Sequence, residues 1–359
     1  MAYSRPRTTQ GSGLMRHGGC VRGVMPLVTG LLAGLLVFGS AARAACSLEN
    51  ITATAPPQDL EAAVDREIAA RPERYSNGGS RFWAVSDPEG RPTGHLYGTL
   101  HIPHGIATWL PPRVYETFLA SRRLAVEVDA GLPTPNRDAL RFQHPIFMVG
   151  RGEPLSLAVE RLAPGLLEPE LRRYGITQEQ ADRAGPFALT RRLSGARCLG
   201  PHQAGASPFI ADLLLQDWAR ALGKPIHALE NQDAALRASG LDLPLPDQVQ
   251  LLALALRRAQ GDDAHVPALI RSYGAGRIDR AVAVGLSYLV DDTTRQAVDA
   301  LDGRLYAGRN ALFADRIDRL LRREAGLFAA FGAGHLIGEG GVVARLRERG
   351  WTVVPVPLQ

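Results

Sequence analysis

The sequence predicts an α/β fold, with a central mixed β-sheet built from both ends of the chain and a large helical insertion between them. Short apolar segments bounded by turn residues lie within residues 82–129 and again within residues 327–356, as expected for strands. Between about residues 135 and 323, Leu, Ala and Ile recur at three- and four-residue spacing, which is typical of amphipathic helices. No repeat of fixed period interrupts this pattern, so one α/β domain is favoured over two separable ones.

The N-terminal 45 residues have the pattern of a secretory signal peptide. Four arginines precede an apolar run over residues 24–38, and residues 42–44 form an Ala-x-Ala cleavage site. The run is short for a bilayer span and is the right length for the apolar core of a signal. We expect an exported protein, periplasmic or secreted. It would contact a membrane only through an uncleaved signal or a lipid on Cys46.

After cleavage, residues 46–80 are predicted as an N-terminal extension and residues 81–359 as the main domain. Cys46 and Cys198 remain in the mature chain. In an oxidising compartment they form one disulfide or stay as separate thiols, and the sequence favours neither alternative. The net charge of +5 is modest and lies partly in the N-terminal basic region. No nucleic-acid partner is expected, and the sequence predicts no oligomeric state.

The first strands are predicted to form a β-hairpin. Residues 81–86 and 95–100 have strand-forming composition, and the turn sequence Asp-Pro-Glu-Gly lies between them at residues 87–90. A helix over residues 60–70 precedes the hairpin, and another over residues 111–120 follows it. The next predicted strand, residues 124–129, is apolar except for Glu127 in its middle and Asp129 at its end.

The helical insertion contains one further strand, over residues 225–230, which ends in Glu230. The helices around it are predicted over residues 212–222, 246–260, 263–273 and 278–289. Arg309 and Asn310 are predicted to open a later amphipathic helix that runs to Arg323. The chain then continues as a strand over residues 327–331, a helix over 342–349 and a strand over 351–356.

Two Gly-x-x-His segments that follow predicted strands are the most informative functional signal. The first is Gly98-Thr99-Leu100-His101, and the second is Gly332-Ala333-Gly334-His335. A glycine allows the backbone to turn or approach closely, and histidine serves as a metal ligand or an acid–base group. More than two hundred residues separate the pair, so only the fold can bring them together. His104 follows the first segment and either competes as a ligand or lies at the surface.

Several common classes of enzyme are excluded by their missing motifs. The sequence has no His-Glu-x-x-His, no Gly-x-Ser-x-Gly and no Gly-x-x-x-x-Gly-Lys segment, which excludes ordinary zincins, α/β-hydrolases and P-loop NTPases. Residues 332–338 imitate a dinucleotide fingerprint. The third glycine is misplaced by one residue, however, and no acid follows at the end of the next strand to bind a ribose. We therefore do not expect a Rossmann dinucleotide site.

The ordered set of motifs resembles the TraB/GumN family, relatives of the Tiki proteases. The matching motifs are Gly-Thr-x-His at 98–101, Glu127, Gly-Lys-Pro at 223–225 with Leu229-Glu230, Arg309-Asn310, and Gly-Ala-Gly-His-Leu at 332–336. Asp212 also falls where the family has an acid leading into a helix. The likeness extends from about residue 82 to residue 356. It implies a pseudo-symmetric Tiki/TraB-like domain.

The resemblance implies an exported metal-dependent hydrolase, a peptidase acting on a peptide or protein substrate. By match to the family motifs, His101, His335 and Glu127 would bind a divalent metal, Mn, Co or Zn. Glu127 would alternatively act as general base, and Arg309 and Asn310 would position substrate or stabilise developing charge.

Two other interpretations remain open. The histidines could hold haem or another ligand in a periplasmic binding protein without catalysis, or they could be structural. Asn231 and Gln232 depart from the family pattern, so the segment containing Glu230 is expected to have a structural role only.

Overall fold

The computed structural model of the protein describes residues 57–131, 153–193, 210–260, 265–288 and 290–358. The predicted signal peptide, Cys46 and Cys198 lie outside these residues. Within the described ranges, no helix combines the length and apolar character that a membrane span needs.

The strands all belong to one six-stranded sheet. They are β1 (Phe82–Ser86), β2 (Pro92–Thr99), β3 (Arg123–Val126), β4 (Ile226–Ala228), β5 (Leu327–Gly332) and β6 (Thr352–Pro355). The helices before β4 are α1 (Gln58–Ala70), α2 (Pro72–Tyr75), α3 (Gly105–Thr108), α4 (Pro112–Ala120), α5 (Leu155–Glu160), α6 (Leu167–Arg173), α7 (Gln178–Arg183), α8 (Pro186–Leu193) and α9 (Ala211–Ala221). The helices after β4 are α10 (Gln232–Leu236), α11 (Leu245–Gln260), α12 (His265–Gly274), α13 (Ile278–Ser287), α14 (Asp292–Arg323) and α15 (Val342–Glu348).

The sheet is mixed and draws its strands from both ends of the chain, as predicted. Its order is β4-β3-β5-β2-β1-β6. β5 pairs in parallel with both β2 and β3, whereas β1 pairs antiparallel with β2 and with β6. Parallel neighbours need long crossover connections, and the helical insertion between β3 and β5 supplies one. The predicted hairpin of β1 and β2 is confirmed.

Alternate residues of β5 face opposite sides of the sheet, which gives the domain a core on each face. Ala329 and Phe331 belong to a large cluster with residues of α12 to α15. Phe328 and Ala330 pack on the other face against residues of α4 and α9. A strand buried on both faces reads as a continuous apolar run, which explains the composition of this segment.

The insertion has a helical core of its own. Leu189 and Leu193 of α8 pack with Leu252 and Leu256 of α11, together with apolar residues of α5, α6 and α7. This arrangement places α8 and α11 beside the carboxyl ends of the parallel strands, where they form part of the wall of a cavity.

Three predicted positions differ from the structure. Glu230 was expected to end a strand over residues 225–230, but β4 ends at Ala228, so Glu230 lies two residues beyond the strand. Glu127 was expected in the middle of a strand, but β3 ends at Val126, so Glu127 is the first residue beyond the strand. Arg309 and Asn310 were expected to open a helix, but they lie well inside the 32-residue helix α14. The helix continues through the exposed Gly303 and Gly308 before them, and an exposed glycine inside a long helix costs only about 1 kcal/mol relative to alanine.

The described part of the predicted N-terminal extension packs onto the main domain. Leu60 and Val64 of α1 and Tyr75 of α2 are buried in the same cluster as the strand residues Trp83 and Leu96. The Tyr75 hydroxyl donates a 2.8 Å hydrogen bond to Glu67 in α1. These helices therefore contribute to the core of the domain that follows them.

Candidate functional site

The pairing of β2 with β5 places the two Gly-x-x-His segments side by side. Gly98 lies opposite Phe331, and Thr99 lies opposite Gly332. Each histidine follows three residues after its glycine, at the carboxyl ends of two adjacent parallel strands. Ligands in open α/β sheets commonly bind at this edge. Both segments therefore contribute to one site.

Each motif has a glycine where another segment of the same chain comes too close to leave room for a side chain. A Cβ atom on Gly98 would lie 2.9 Å from the Cα atom of Ala333 in the opposite motif. A Cβ atom on Gly332 would lie 2.8 Å from Oε1 of Glu127, and the Gly332 amide donates a 2.6 Å hydrogen bond to that same oxygen. The glycines thus let the two turns and the carboxylate pack together.

His335 is buried, and its neighbours fix which ring nitrogen carries the proton. Its side chain lies in a short 3₁₀ turn with only 3% of its surface exposed. Asn310 Nδ2 donates to the Gly340 carbonyl at 3.0 Å, so Asn310 Oδ1 faces His335 Nδ1, 2.6 Å away. Because an amide oxygen only accepts, Nδ1 must donate, and Nε2 is left with a lone pair directed at the site.

Arg309 connects the two acids with His335. Its Nε donates to both oxygens of Glu230 at 3.0 Å, and its Nη2 bonds to Glu127 Oε2 at 3.0 Å and to Glu230. Its Nη1 lies 3.1 Å from Nε2 of His335, which fits an unprotonated Nε2. Glu230 is 3% exposed, so its charge depends on this guanidinium.

The surroundings keep Glu127 ionised and His335 neutral. Burial alone would raise the pKa of Glu127, but the charges of His101 and Arg309 and the hydrogen bond from the Gly332 amide outweigh it and hold that pKa well below its usual range. Burial lowers the pKa of His335 to about 3, against the opposing effect of Glu127. A carboxylate with so low a pKa is a weak proton acceptor at neutral pH. Glu127 therefore presents a negative charge at neutral pH to the cavity that it lines.

His101 is held by Asp212 at the start of α9. Its Nε2 lies 3.2 Å from Asp212 Oδ1, which also accepts a 2.8 Å hydrogen bond from the Thr99 hydroxyl. Asp212 raises the pKa of His101 to about 9. The side chain is 54% exposed by area although protein surrounds it, because it faces the interior of a cavity rather than the outer surface.

One cavity of about 670 Å³ brings most of the predicted site residues together. Its lining includes His101, Glu127, Arg309 and His335, and its volume is within the usual range for ligand sites. Asn310 is not among the described residues that line it and lies behind His335. His104 also does not line the cavity. Its Nδ1 accepts a 3.2 Å hydrogen bond from the Ile106 amide, so the side chain caps the N-terminus of α3.

The donor types in this cavity suit a divalent metal, although the side chains do not form a closed coordination set. In the described part of the chain, no three His, Cys, Asp or Glu side chains converge closely enough to hold a metal. The immediate obstacle is Arg309, which occupies Nε2 of His335. Asp212 Oδ2 is buried without a hydrogen-bond partner in the described residues. Imidazole nitrogens and carboxylate oxygens are suitable ligands for Zn²⁺, Mn²⁺ or Co²⁺, and a buried carboxylate oxygen without a hydrogen-bond partner would be stabilised by such a cation.

Three further residues contribute to the site beyond those predicted as ligands or catalytic groups. Asp212 holds His101, Glu230 holds Arg309, and Tyr306 packs edge-on against the His335 ring at 5.1 Å between centroids. Glu230 was expected to be structural only, yet it contacts Arg309 directly. Tyr306 precedes Arg309 by three residues on α14, and this helical spacing is the one sequence signal that could have revealed it.

Comparisons with known proteins add independent information. The sequence matches the model of the TraB/PrgY/gumN family over residues 81–355. It is similar to Metalloprotease TIKI2 from Danio rerio, with 24% identity over 330 residues that cover 80% of this chain and 63% of that protein. The chain therefore spans less than two thirds of the length of this relative. No solved structure matches the chain.

Proposed function

The chain belongs to the TraB/PrgY/gumN family, and from this premise we propose that it is an exported metal-dependent peptidase. The similarity to a protein named as a metalloprotease supports the reaction class. The N-terminal signal pattern supports export. A peptide or protein is the substrate class that this proposal requires.

The observation that carries the proposal is the convergence of both Gly-x-x-His segments and Glu127 on one cavity. His335 presents the lone pair of Nε2, because Asn310 holds Nδ1 as the donor. His101 faces Asp212 through Nε2, which leaves Nδ1 as its ligand nitrogen. Together with Glu127, which is ionised at neutral pH because its pKa is lowered, these residues would hold a divalent metal. When bound, such a metal supplies Lewis-acid chemistry for amide hydrolysis.

The protein side chains have separate tasks in this scheme. Arg309 holds a positive charge among Glu127, Glu230 and His335, where it can stabilise negative charge on a substrate oxygen. Metal binding requires Arg309 to give up its contact with His335 Nε2. Asp212 orients His101 through Oδ1. Asn310 acts through His335 and does not touch substrate.

The deciding experiment measures metal content and peptide turnover of the purified mature protein. The chain is loaded separately with Zn²⁺, Mn²⁺ and Co²⁺, and cleavage of a mixed peptide library is followed by mass spectrometry. His101→Ala is compared with His104→Ala, which removes a nearby histidine outside the cavity. We expect His101→Ala to lose bound metal and at least a hundredfold in turnover, whereas His104→Ala keeps both.

Two outcomes would reject the proposal. The wild-type protein could bind none of the three metals and cleave no peptide, or His101→Ala could remain as active as wild type. A Soret band after purification from haem-rich medium, together with absent turnover, would instead support the binding-protein alternative.

A further inference from the structure

A smaller cavity of about 200 Å³ opens beside the main one, at the contact between α8 and α11. The two spaces adjoin each other, because six of the described residues line both: Arg191, Ser239, Leu251, Leu254, Arg258 and Leu301. The smaller volume is below the roughly 300 Å³ of a typical small-molecule pocket. It suits one amino-acid side chain or the end of a peptide.

The charges in the smaller cavity all have one sign. Arg191 and Arg258 line it, and no Asp or Glu is among the described residues that do so. The acids of the main cavity, which include Glu127 and Asp212, line only that larger space. A bound group would therefore meet two guanidinium ions and no carboxylate at this end.

Arg258 is fixed in place without being neutralised. Its Nε and Nη2 donate to the Tyr288 carbonyl at 3.0 and 2.8 Å, and Nη2 also donates to the Gly285 carbonyl at 2.9 Å. These carbonyls lie at the end of α13, where backbone acceptors lack helical partners. The hydrogen bonds orient the guanidinium but supply no negative charge. Burial accordingly lowers the pKa of Arg258 to about 10.

Arg191 has still fewer partners. It lies in the last turn of α8, and its guanidinium lies 5.7 Å from the centre of the Phe187 ring. The structure gives its side chain no hydrogen bond or ion pair within the described residues. His265 Nδ1, in the same cavity, is likewise buried without a partner in those residues. A guanidinium without an anionic partner beside apolar walls is a feature of an anion site.

We propose that the smaller cavity is a carboxylate-binding subsite, in which Arg191 and Arg258 hold a carboxylate of the peptide substrate. The proposal rests on the proposed peptidase function for its substrate, because the subsite adjoins the cavity of His101 and His335. Two sources share this chemistry, the C-terminal carboxylate of a peptide and an Asp or Glu side chain. Leu251, Leu254 and Leu301 would contact the apolar part of the same residue.

Binding of small probes tests the subsite without requiring turnover. N-acetyl-leucine is compared with N-acetyl-leucinamide, and N-acetyl-glutamic acid α-amide with N-acetyl-glutamine amide, by calorimetry on the full mature chain without added metal. We expect at least one carboxylate to bind ten times more tightly than its neutral partner. The first pair reports the chain terminus, and the second pair reports an acidic side chain.

Arg191→Gln is the informative variant, because the Arg191 side chain makes no hydrogen bond to any residue that the structure describes. We expect it to abolish the preference for carboxylate over amide. Arg192→Gln is the matched control, since Arg192 packs over the Tyr174 ring at 5.4 Å and does not line either cavity. Arg191→Glu should reverse the preference.

Equal binding of carboxylate and amide probes would overturn the subsite, as would unchanged discrimination in Arg191→Gln. The failure of the subsite can be told from failure of the peptidase function. Carboxylate binding without peptide cleavage would remove the function and leave the subsite. If peptides are cleaved at the same rate with and without a nearby carboxylate, and the carboxylate and amide probes bind equally, the peptidase function is kept and the subsite is rejected.

Discussion

Asn310 Oδ1 lies 2.6 Å from Nδ1 of His335, and its own amide group is held by the Gly340 carbonyl. The pair is 25 residues apart in sequence and joins α14 to the turn after β5. This contact decides which nitrogen of a motif histidine faces the cavity. Asn310 is therefore a positioning residue, and its effect on chemistry should pass through His335.

Replacing Asn310 tests this role. Asn310→Ala removes the acceptor that holds Nδ1–H, so the ring can rotate or change tautomer. We expect metal affinity to fall about 10- to 100-fold, the usual effect of losing such a partner. Asn310→Asp keeps an acceptor oxygen and should retain most of the affinity. Metal titration with a competing chelator measures both variants, and equal affinities of Asn310→Ala and wild type would contradict the role.

Removing Arg309 should destabilise the fold strongly. Arg309→Met leaves Glu127 and Glu230, whose side chains are 15% and 2% exposed, without their shared cation. Breaking a buried ion pair from one side costs about 3–5 kcal/mol. We expect a loss of this size in the free energy of unfolding, measured by urea denaturation. Adding Glu230→Gln should recover part of it, because the double variant no longer buries that uncompensated charge. Strict additivity of the two changes would argue against direct coupling.

The two motifs should tolerate no side chain at their closest approach. Gly98→Ala would place a Cβ atom 2.9 Å from the Cα atom of Ala333, and such overpacking costs about 1–3 kcal/mol. Gly303→Ala is the control, because nothing lies within 4 Å of its Cβ position on α14. It should stabilise the helix by up to about 1 kcal/mol. Thermal unfolding of both variants should show shifts of opposite sign.

The stability of the protein should fall with acid partly through His265. Burial, with a smaller contribution from Arg258, lowers the pKa of His265 in the folded protein to about 3, whereas the unfolded chain has its ordinary pKa near 6.5. Between those values only the unfolded chain binds the proton. The free energy of unfolding therefore decreases as the pH drops from about 6.5 toward 3.

We expect His265→Phe to reduce this dependence, since phenylalanine can keep the stacking on Tyr288, whose ring lies 4.8 Å away. Urea unfolding at pH 7.5 and at pH 5 measures the change in the free energy of unfolding with pH for the wild type and for His265→Phe. All other titrating groups are shared, so the difference between the two slopes reports His265. Identical slopes would show that this imidazole does not remain neutral in the folded state.

The sequence was sufficient to predict the family, the mixed sheet and several of the residues that line the cavity. The family resemblance and the fold class are confirmed. Strand composition identified β2 and β5, and the glycines marked where their chains approach. The metal, its ligands and the catalytic roles stay predictions.

What sequence alone could not supply were contacts between distant charges. Arg309 and Glu230 are 79 residues apart, and nothing in either neighbourhood specifies the other. The position of Arg309 within α14 was also predicted wrongly, since the helix begins at Asp292 and continues through the exposed Gly303 and Gly308 before it reaches Arg309. The part of the cavity wall that α8 and α11 form arises only when the helical insertion folds back over the ends of the strands.

The register between β2 and β5 also sets the order in which the protein can acquire its site. His335 is synthesised more than two hundred residues after His101, and the strand that carries it enters the middle of the sheet. No chain can hold both histidines in place until β5 has inserted between β2 and β3. A nascent or partly unfolded chain consequently lacks the assembled site, so the activity proposed for it would begin only when its own fold is complete.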